Sequence, residues 1–365
     1  MQRRRRHALC TAALSCSAPL VLAAAMLLLL ALGVRGEYEY PSFDGFYHNQ
    51  HFADWGAIDT PFLRMGGGAL YSDATYQPLS EGRPNPRVLS SQLFDQPAST
   101  RPLSSLRNAT ALMVFFGQQL FSEIHNGLLP GCPVEYFNIP VPRCDTHFDP
   151  KCTGKAAIPF TRSRYVATSG QGPSGPRAQL NQNSAWIDGS SIYGDTKTWT
   201  DQLRSRHNGR LKSRDPEGRF PALNKPGLPF VNNPPPTDNP GPGLIRHPKT
   251  RNVHEFMMHG NRAGGFENPA VLALQILWFR NHNWHADRLY RQYVLGANAT
   301  TSGNNTGAAY WTDERLFLEA RKWNVAEYQH IALNEFVPAY VGQTLPPYEG
   351  YKSTVNPVSR QLASA

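Results

Sequence analysis

The chain has 365 residues, of which 40% are hydrophobic and 11% aromatic, enough to form a sizeable core and to exclude a globally disordered protein. Five of the 36 basic residues and none of the 27 acidic ones lie in the first 36 positions, so residues 37–365 carry 31 basic and 27 acidic side chains, a net charge of +4. This mild excess argues against a nucleic-acid-binding protein and against a polybasic membrane-binding one.

The N-terminus has the pattern of a secretory signal peptide. Four arginines, Arg3–Arg6, are followed by an uncharged run, Ala8–Val34, and the small residues Val34 and Gly36 precede a cleavage position at Glu37. The alternative is an uncleaved signal anchor, because the apolar run is long enough to span a bilayer. We predict a signal peptide over residues 1–36 and a domain over residues 37–365 that faces the secretory lumen.

Sequons and cysteines agree with that compartment. N-glycosylation is expected at three Asn-X-Thr sequons, at Asn108, Asn298 and Asn304. Three cysteines remain after residue 36, and Cys144 and Cys152 are close enough in sequence for a local disulfide. Cys132 is then left for a partner outside this chain, for another pairing, or as a buried free thiol.

The first half of the chain predicts one long helix among loops. Residues 37–103 have the composition of an irregular arm, and apolar residues recur at helical spacing between about Asn108 and His125. The segments 128–183 and 225–248 are rich in proline and glycine and predict extended loops. Strand signals are few and short throughout.

Two long helices are predicted in the second half. Asn268 followed by Pro269 combines an N-cap with proline at the first helical position. Thr312 caps the next helix, and we expect Pro338 to end it. The predicted fold class is therefore mainly α, with long loops and little β structure.

The best local signal for chemistry is a run of oxygen-bearing residues, Ser184-Ala-Trp186-Ile-Asp188-Gly-Ser190. A hard cation such as calcium takes six to eight oxygen ligands from carboxylates, carbonyls and waters. One segment cannot complete that sphere, so a carboxylate from elsewhere in the chain must join it. The alternative is an Asp-Gly turn in which a serine caps a helix.

A family resemblance favours the calcium interpretation. The sequence Trp-Ile-Asp-Gly-Ser-Ser-Ile-Tyr-Gly at 186–194 resembles the calcium loop of the animal haem peroxidases. Phe116-Gly-Gln118 stands where that family has the Trp-Gly-Gln of its distal helix, and segments 260–269 and 278–283 resemble its next two motifs. Over 40–355 the chain is most similar to the peroxidase-like ectodomain of the dual oxidases, with matching motifs at 43–49, 76–79, 130–133 and 345–351. The resemblance implies an animal haem-peroxidase-like fold, incomplete at its C-terminus.

The resemblance also implies roles for residues of the distal helix. Gln118 matches the family's distal glutamine, whereas Phe121 replaces its haem-linking aspartate and Ser122 its acid–base histidine. Near neutral pH a serine cannot take the first peroxide proton as an imidazole can. Glu123 replaces a calcium-ligating aspartate and keeps the carboxylate. The implied calcium shell consists of Glu123, Ser184, the Trp186 carbonyl, Asp188 and Ser190.

Other parts of the implied peroxidase site lie further along the chain. Arg262 matches the arginine that polarises bound peroxide, and Glu267 falls at the family's second haem-ester position. The family's proximal haem histidine lies beyond the segment matched here, and we expect His330 to be a packing or surface residue. The implied cofactors are haem b and calcium, with FAD and NADPH bound only in a C-terminal part of a full dual oxidase.

These residues support two classes of function. In the first, the chain is the extracellular peroxidase-like domain of a dual oxidase, an NADPH oxidase that forms hydrogen peroxide, with weakened peroxidase chemistry of its own. In the second, it is a non-catalytic module that helps the oxidase to mature; a secreted haem peroxidase is a third choice. The expected partners are hydrogen peroxide, a maturation partner protein and, through the C-terminal part, a membrane. The expected location is the secretory pathway and the extracellular face of the plasma membrane.

Overall fold

The computed structural model describes residues 39–62, 71–95, 105–127, 131, 133–223, 269–296 and 308–357. The chain divides into a short unit, Met1–Pro41, and a main unit, Ser42–Ala365, which contains all the elements named below. The predicted signal peptide lies outside the described residues. Within those residues, no helix is both long enough and apolar enough to cross a membrane.

Helices dominate the described part of the main unit, and the predicted fold class is confirmed. The α-helices are α1 (Pro86–Phe94), α2 (Leu112–Ile124), α3 (Ser190–Tyr193), α4 (Lys197–Leu203), α5 (Pro269–Tyr290), α6 (Asp313–Ile331) and α7 (Val337–Val341). The strands are two residues each, and they are β1 (Thr60–Pro61), β2 (Ile139–Pro140), β3 (Ala157–Ile158) and β4 (Leu180–Asn181). Two antiparallel pairs form, β1 with β4 and β2 with β3, in which Thr60 is opposite Asn181 and Ile139 is opposite Ile158.

The helix predicted between Asn108 and His125 is shorter than expected at its start. Asn108 has a φ of 55°, a left-handed backbone that a helix cannot include, and helix α2 begins only at Leu112. Its N-cap, Ala111, offers no side-chain acceptor. At the other end His125 is extended, so α2 stops at Ile124.

The start of helix α6 is confirmed and its predicted end is wrong. The Thr312 hydroxyl accepts a hydrogen bond from the Arg315 backbone N–H at 3.3 Å, as an N-cap does. A π-helical segment, Ala332–Phe336, then follows α6 and leads into α7. Pro338 therefore falls in the first turn of a new helix, where its missing N–H costs little. Gly342, with a φ of 84°, ends α7 instead.

The predicted local disulfide is confirmed. Cys144 and Cys152 are bonded, with their Cα atoms 4.0 Å apart. The Asp149 carboxylate accepts hydrogen bonds from the Thr153 hydroxyl and from the Gly154 N–H, both at 2.7 Å, and these bonds lower the pKa of Asp149 to about 2. Cys132 lies outside the described residues.

The hydrophobic core lies where α5 and α6 pack against each other and against α3. Its side chains come from segments far apart in sequence, so burial of apolar surface joins the loop after β4 to both long helices. The buried members are Ile192, Tyr193, Leu203, Leu211, Trp278, Phe279, Phe317, Val325 and Tyr328. Helix α2 packs on this core through Phe116 and Leu120. The core therefore holds the end of α2 beside the 184–191 loop.

Candidate functional site

Glu123 joins helix α2 to the loop that precedes α3. Its side chain is fully buried, and one carboxylate oxygen, Oε1, accepts from the backbone N–H groups of Gly189 and Ser190, the latter at 2.9 Å. The other oxygen, Oε2, accepts from the Ser191 N–H at 2.9 Å. In return the Ser190 hydroxyl donates to the Glu123 carbonyl oxygen at 2.9 Å. Hydrogen bonds to a carboxylate are among the stronger ones in proteins, so this contact fixes the loop to the helix.

The loop turns at Gly189, and only glycine fits there. Its φ is 84°, a left-handed conformation, and a Cβ at this position would come within 2.7 Å of the Tyr193 ring and 3.0 Å of Val325. The turn places three consecutive N–H groups, from residues 189 to 191, around the Glu123 carboxylate. The Asp-Gly turn read from the sequence is therefore present, and it serves the contact with α2.

Asp188 brings a second buried carboxylate to the same place. Its Oδ1 accepts from the Ser190 N–H at 3.1 Å, and its Oδ2 is buried without a hydrogen-bond partner among the described residues. Burial, and next the nearby charge of Glu123, raise the pKa of Asp188 to about 7, although Arg321 and the Ser184 hydroxyl oppose the shift. Burial also raises the pKa of Glu123. Two adjacent buried carboxylates with one unpartnered oxygen fit a bound cation.

The remaining loop oxygens belong to residues of the implied calcium shell. The Ser184 hydroxyl is fully buried and accepts from the Trp186 backbone N–H at 3.1 Å. The Trp186 indole N–H is turned away and donates to the Trp55 carbonyl at 3.2 Å. Within the described ranges, no cluster of three or more His, Cys, Asp or Glu side chains could hold a metal. A cation here would therefore depend on two carboxylates together with hydroxyl and carbonyl oxygens, a set that suits calcium.

The distal residues lie on the same helix as Glu123. Gln118 is half-buried one turn before Ser122, which is also half-buried, and the Ser122 carbonyl accepts from the Asn183 side-chain amide. The Phe121 side chain is 52% exposed. His125, just beyond the helix, packs against Phe121 and Phe62, with ring centroids 4.6 and 4.7 Å apart. Burial lowers the pKa of His125, which favours a neutral ring.

A comparison with protein families identifies the family to which this chain belongs. The model of the family "Animal haem peroxidase" matches residues 40–365. The chain belongs to the animal haem peroxidase family. Family membership implies haem as the family's cofactor and places the chain among oxidoreductase-type domains.

Dual oxidases are prominent among its relatives. The chain is 39% identical to Dual oxidase 1 of Homo sapiens over 332 residues, which are 90% of this chain and 19% of that protein. It is 34% identical to Dual oxidase of Drosophila melanogaster over 345 residues, 92% of this chain and 20% of that protein. The chain thus spans about a fifth of the length of these relatives. The matching residues of this chain are those of its peroxidase-family domain.

Solved structures give the same fold. Peroxidase A from Dictyostelium discoideum superposes with a TM-score of 0.68 at 26% identity, over 87% of this chain and 56% of that one. The fatty acid alpha-dioxygenase of Arabidopsis thaliana superposes with a TM-score of 0.55 at 16% identity, which supports the fold alone.

The residues of α2 lack the groups that the family resemblance leads us to expect at these positions. Phe121 has no carboxylate with which to form a haem ester, and Ser122 has no group that carries a proton near neutral pH. Arg262 and Glu267 lie outside the described residues.

Other predicted site residues are partly described. Asn108 is exposed in the turn before α2, which suits a glycan, whereas Asn298 and Asn304 lie outside the described residues. His330 is exposed and contacts the Asn334 side-chain amide at 3.1 Å, in agreement with the expected surface position. It also lies at a cavity of about 800 Å³ between α5 and α6, whose walls include Trp278, Trp284 and Trp323.

A buried polar network between α3, α5 and α6 was not predicted. The Tyr193 hydroxyl donates to His282 Nδ1 at 2.8 Å and accepts from the Asn324 side chain at 2.8 Å, and His282 Nε2 donates to the Gly209 carbonyl at 2.9 Å. The carbonyl can only accept, so the proton lies on Nε2. Burial lowers the pKa of His282 to about 3, and the ring stays neutral. The sequence signal for this network was the presence of polar residues on the inner face of α5. The spacing of apolar residues alone does not indicate it.

Proposed function

We propose that this chain is the N-terminal part of the extracellular peroxidase-like domain of a dual-oxidase-type enzyme, an NADPH oxidase that forms hydrogen peroxide, and that this domain does not itself turn over peroxide. The observation that carries the proposal is the contrast along α2. Glu123, at its end, keeps an extensive contact with the 184–191 loop, whereas Phe121 and Ser122 lack the groups for haem attachment and proton transfer. This combination suits a domain that acts as a stable scaffold without turning over peroxide.

In this proposal calcium binds at the junction of α2 and the loop. Asp188 Oδ2 would be a ligand because it is buried and lacks a partner among the described residues. The Ser184 hydroxyl, the Trp186 carbonyl, the Ser190 hydroxyl and the Glu123 carboxylate would supply further oxygens, as the family resemblance implies. A bound cation would neutralise two adjacent carboxylates and hold the loop on the helix.

The remaining features of the proposed parent protein follow from the resemblance to the dual oxidases. The hydrogen peroxide would be formed by a C-terminal part that binds FAD and NADPH and anchors the protein in the plasma membrane. The peroxidase-like domain would then lie on the extracellular side and contact a maturation partner protein. Sequons, the signal pattern and the Cys144–Cys152 disulfide support this compartment.

Expression of the full chain in eukaryotic cells tests the compartment. We expect secreted material that begins at Glu37 and loses mass on treatment with an N-glycosidase. Thr110→Ala destroys the sequon at Asn108 and should remove one glycan's mass, because Asn108 is exposed. Protein that begins at Met1 and carries no glycan would contradict the proposal.

Calcium dependence tests the cation site. A cation that binds only the folded state stabilises it by mass action, so calcium should raise the melting temperature and a chelator should lower it. Asp188→Ala should abolish that difference. A melting temperature that is the same in calcium and in chelator would count against the site.

A further inference from the structure

A buried arginine from α6 reaches the same loop. Arg321 is 3% exposed, and its Nη2 donates to the carbonyl oxygens of Asp188, at 3.2 Å, and Ser42, at 2.9 Å. Its guanidinium carbon lies 4.2 Å from the centre of the Phe43 ring and 5.7 Å from that of Tyr193. Carbonyl oxygens and ring faces thus surround a positive charge that is removed from water.

The charge of Arg321 acts on both carboxylates of the site, Asp188 in the loop and Glu123 on α2. Burial lowers the pKa of Arg321, and attraction to Asp188, Tyr193, Glu123 and Asp44 opposes this shift. Glu123 and Asp188 together carry two negative charges when ionised, and Arg321 offsets one of them. Buried charges are costly unless they are compensated, so this arginine is a reason why the site can keep both carboxylates.

The contact to the Asp188 carbonyl also fixes the loop backbone. This carbonyl directly precedes Gly189, where the chain turns into α3. Glu123 holds the N–H groups on one side of the turn and Arg321 holds the carbonyl that precedes them. Both contacts come from side chains on other helices, so α2 and α6 each hold the turn through residues of this chain.

We propose that Arg321 is a built-in counter-charge of the cation site: it lets the Asp188 loop fold without a metal ion, and it lowers the affinity of the loop for calcium. The inference rests on the calcium site proposed above. With both carboxylates ionised, a divalent ion that enters beside Asp188 meets a site whose net charge Arg321 has reduced from −2 to −1. Calcium affinity falls as the negative charge of the ligand set falls, and repulsion between buried cations is little screened by salt.

The test compares the full chain with Arg321→Met, which keeps an unbranched apolar stem but removes the charge together with the hydrogen bonds to the Ser42 and Asp188 carbonyls. Calcium affinity is measured by calorimetric titration and by emission of bound terbium sensitised by Trp186, and melting is followed in calcium and in chelator. We expect Arg321→Met to bind calcium at least tenfold more tightly, about 1.4 kcal/mol. In chelator it should melt at a lower temperature than wild type, and calcium should raise its melting temperature by more.

Two control variants separate charge from packing. Arg177→Met removes another fully buried arginine, one paired with Glu135 at 2.9 Å, so it should lower the melting temperature without changing calcium affinity. Arg321→Lys keeps the charge and cannot reproduce the planar guanidinium contacts. It should keep calcium affinity within about threefold of wild type.

The possible outcomes are distinct. Calcium binding by both proteins, at least tenfold tighter in Arg321→Met, would support the inference. Equal affinities and equal melting shifts in the two proteins would overturn it and leave the calcium site standing. No binding by either would overturn both. If Arg321→Met does not fold in either condition, Arg321→Gln, which also removes the charge and keeps a hydrogen-bond donor, takes its place: calcium binding at least tenfold tighter than wild type supports the inference, and equal affinity overturns it.

Discussion

The strongest stability prediction concerns Glu123, since its carboxylate holds three backbone N–H groups of the loop. In Glu123→Ala the Gly189 and Ser191 N–H groups lose their acceptor in a site that is closed to solvent, and the Ser190 N–H keeps only Asp188 Oδ1 at 3.1 Å. Each hydrogen bond to a charged group contributes about 1.5–3 kcal/mol. Relief of the buried carboxylate's desolvation and of its repulsion with Asp188 offsets part of the loss. We expect a net decrease of about 3–5 kcal/mol in the free energy of unfolding, as for other broken buried charge contacts.

Urea denaturation in excess chelator measures this decrease, with the midpoint and the slope fitted separately. Glu349→Ala is the matched control, because the Glu349 side chain is 70% exposed and its loss should change stability by less than about 0.5 kcal/mol. Glu123→Asp is informative as well: its carboxylate is one methylene shorter and should not reach all three N–H groups. If Glu123→Ala unfolds within about 1 kcal/mol of wild type, the carboxylate does not anchor the loop and the reasoning is refuted.

Two further predictions follow from the buried groups around the loop. Burial and the charge of Glu123 raise the folded-state pKa of Asp188 from its ordinary value of 3.8 to about 7. In chelator, protonation of Asp188 should therefore stabilise the folded state fully below pH 3.8, and this contribution should be lost as the pH rises through about 7. Thermal melts from pH 4.5 to 8 should therefore show wild type losing stability relative to Asp188→Asn, and parallel curves would contradict this. Tyr193→Phe should cost about 1–3 kcal/mol in urea denaturation, because it leaves His282 Nδ1 and the Asn324 amide without the hydroxyl; a loss below 0.5 kcal/mol would argue against the network.

The helices were largely predictable because their signals are local. A cap at Thr312 and a proline at position 269 lie next to the turns that they start, and apolar spacing identified the α2 region. The error at Pro338 has a physical reason. Proline disrupts the regular hydrogen bonds of an α-helix, but the π-helical segment Ala332–Phe336 changes the hydrogen-bond pattern before Pro338. No residue type in this segment predicts that change.

The site was predictable only in part, because its contacts join distant segments. The family resemblance paired Glu123 with the loop, and the structure places Glu123, Ser184, Asp188 and Ser190 together. Arg321 lies 133 positions from Asp188 along the chain, so no periodicity or spacing could link the two. The three loop N–H groups bound by Glu123 belong to the backbone, which a reading of side chains does not reveal.

We propose that Phe121 and Ser122 of α2 leave this peroxidase-family domain without peroxide turnover. The direct measurement is peroxidase turnover, with added haem, by an ectodomain that continues past Ala365 into the family's proximal-histidine segment. We predict turnover no higher than that of free haem for the natural sequence, and an increase of at least tenfold, about 1.4 kcal/mol of barrier, for Phe121→Asp combined with Ser122→His. Robust turnover by the natural sequence that survives Ser122→Ala would contradict the claim.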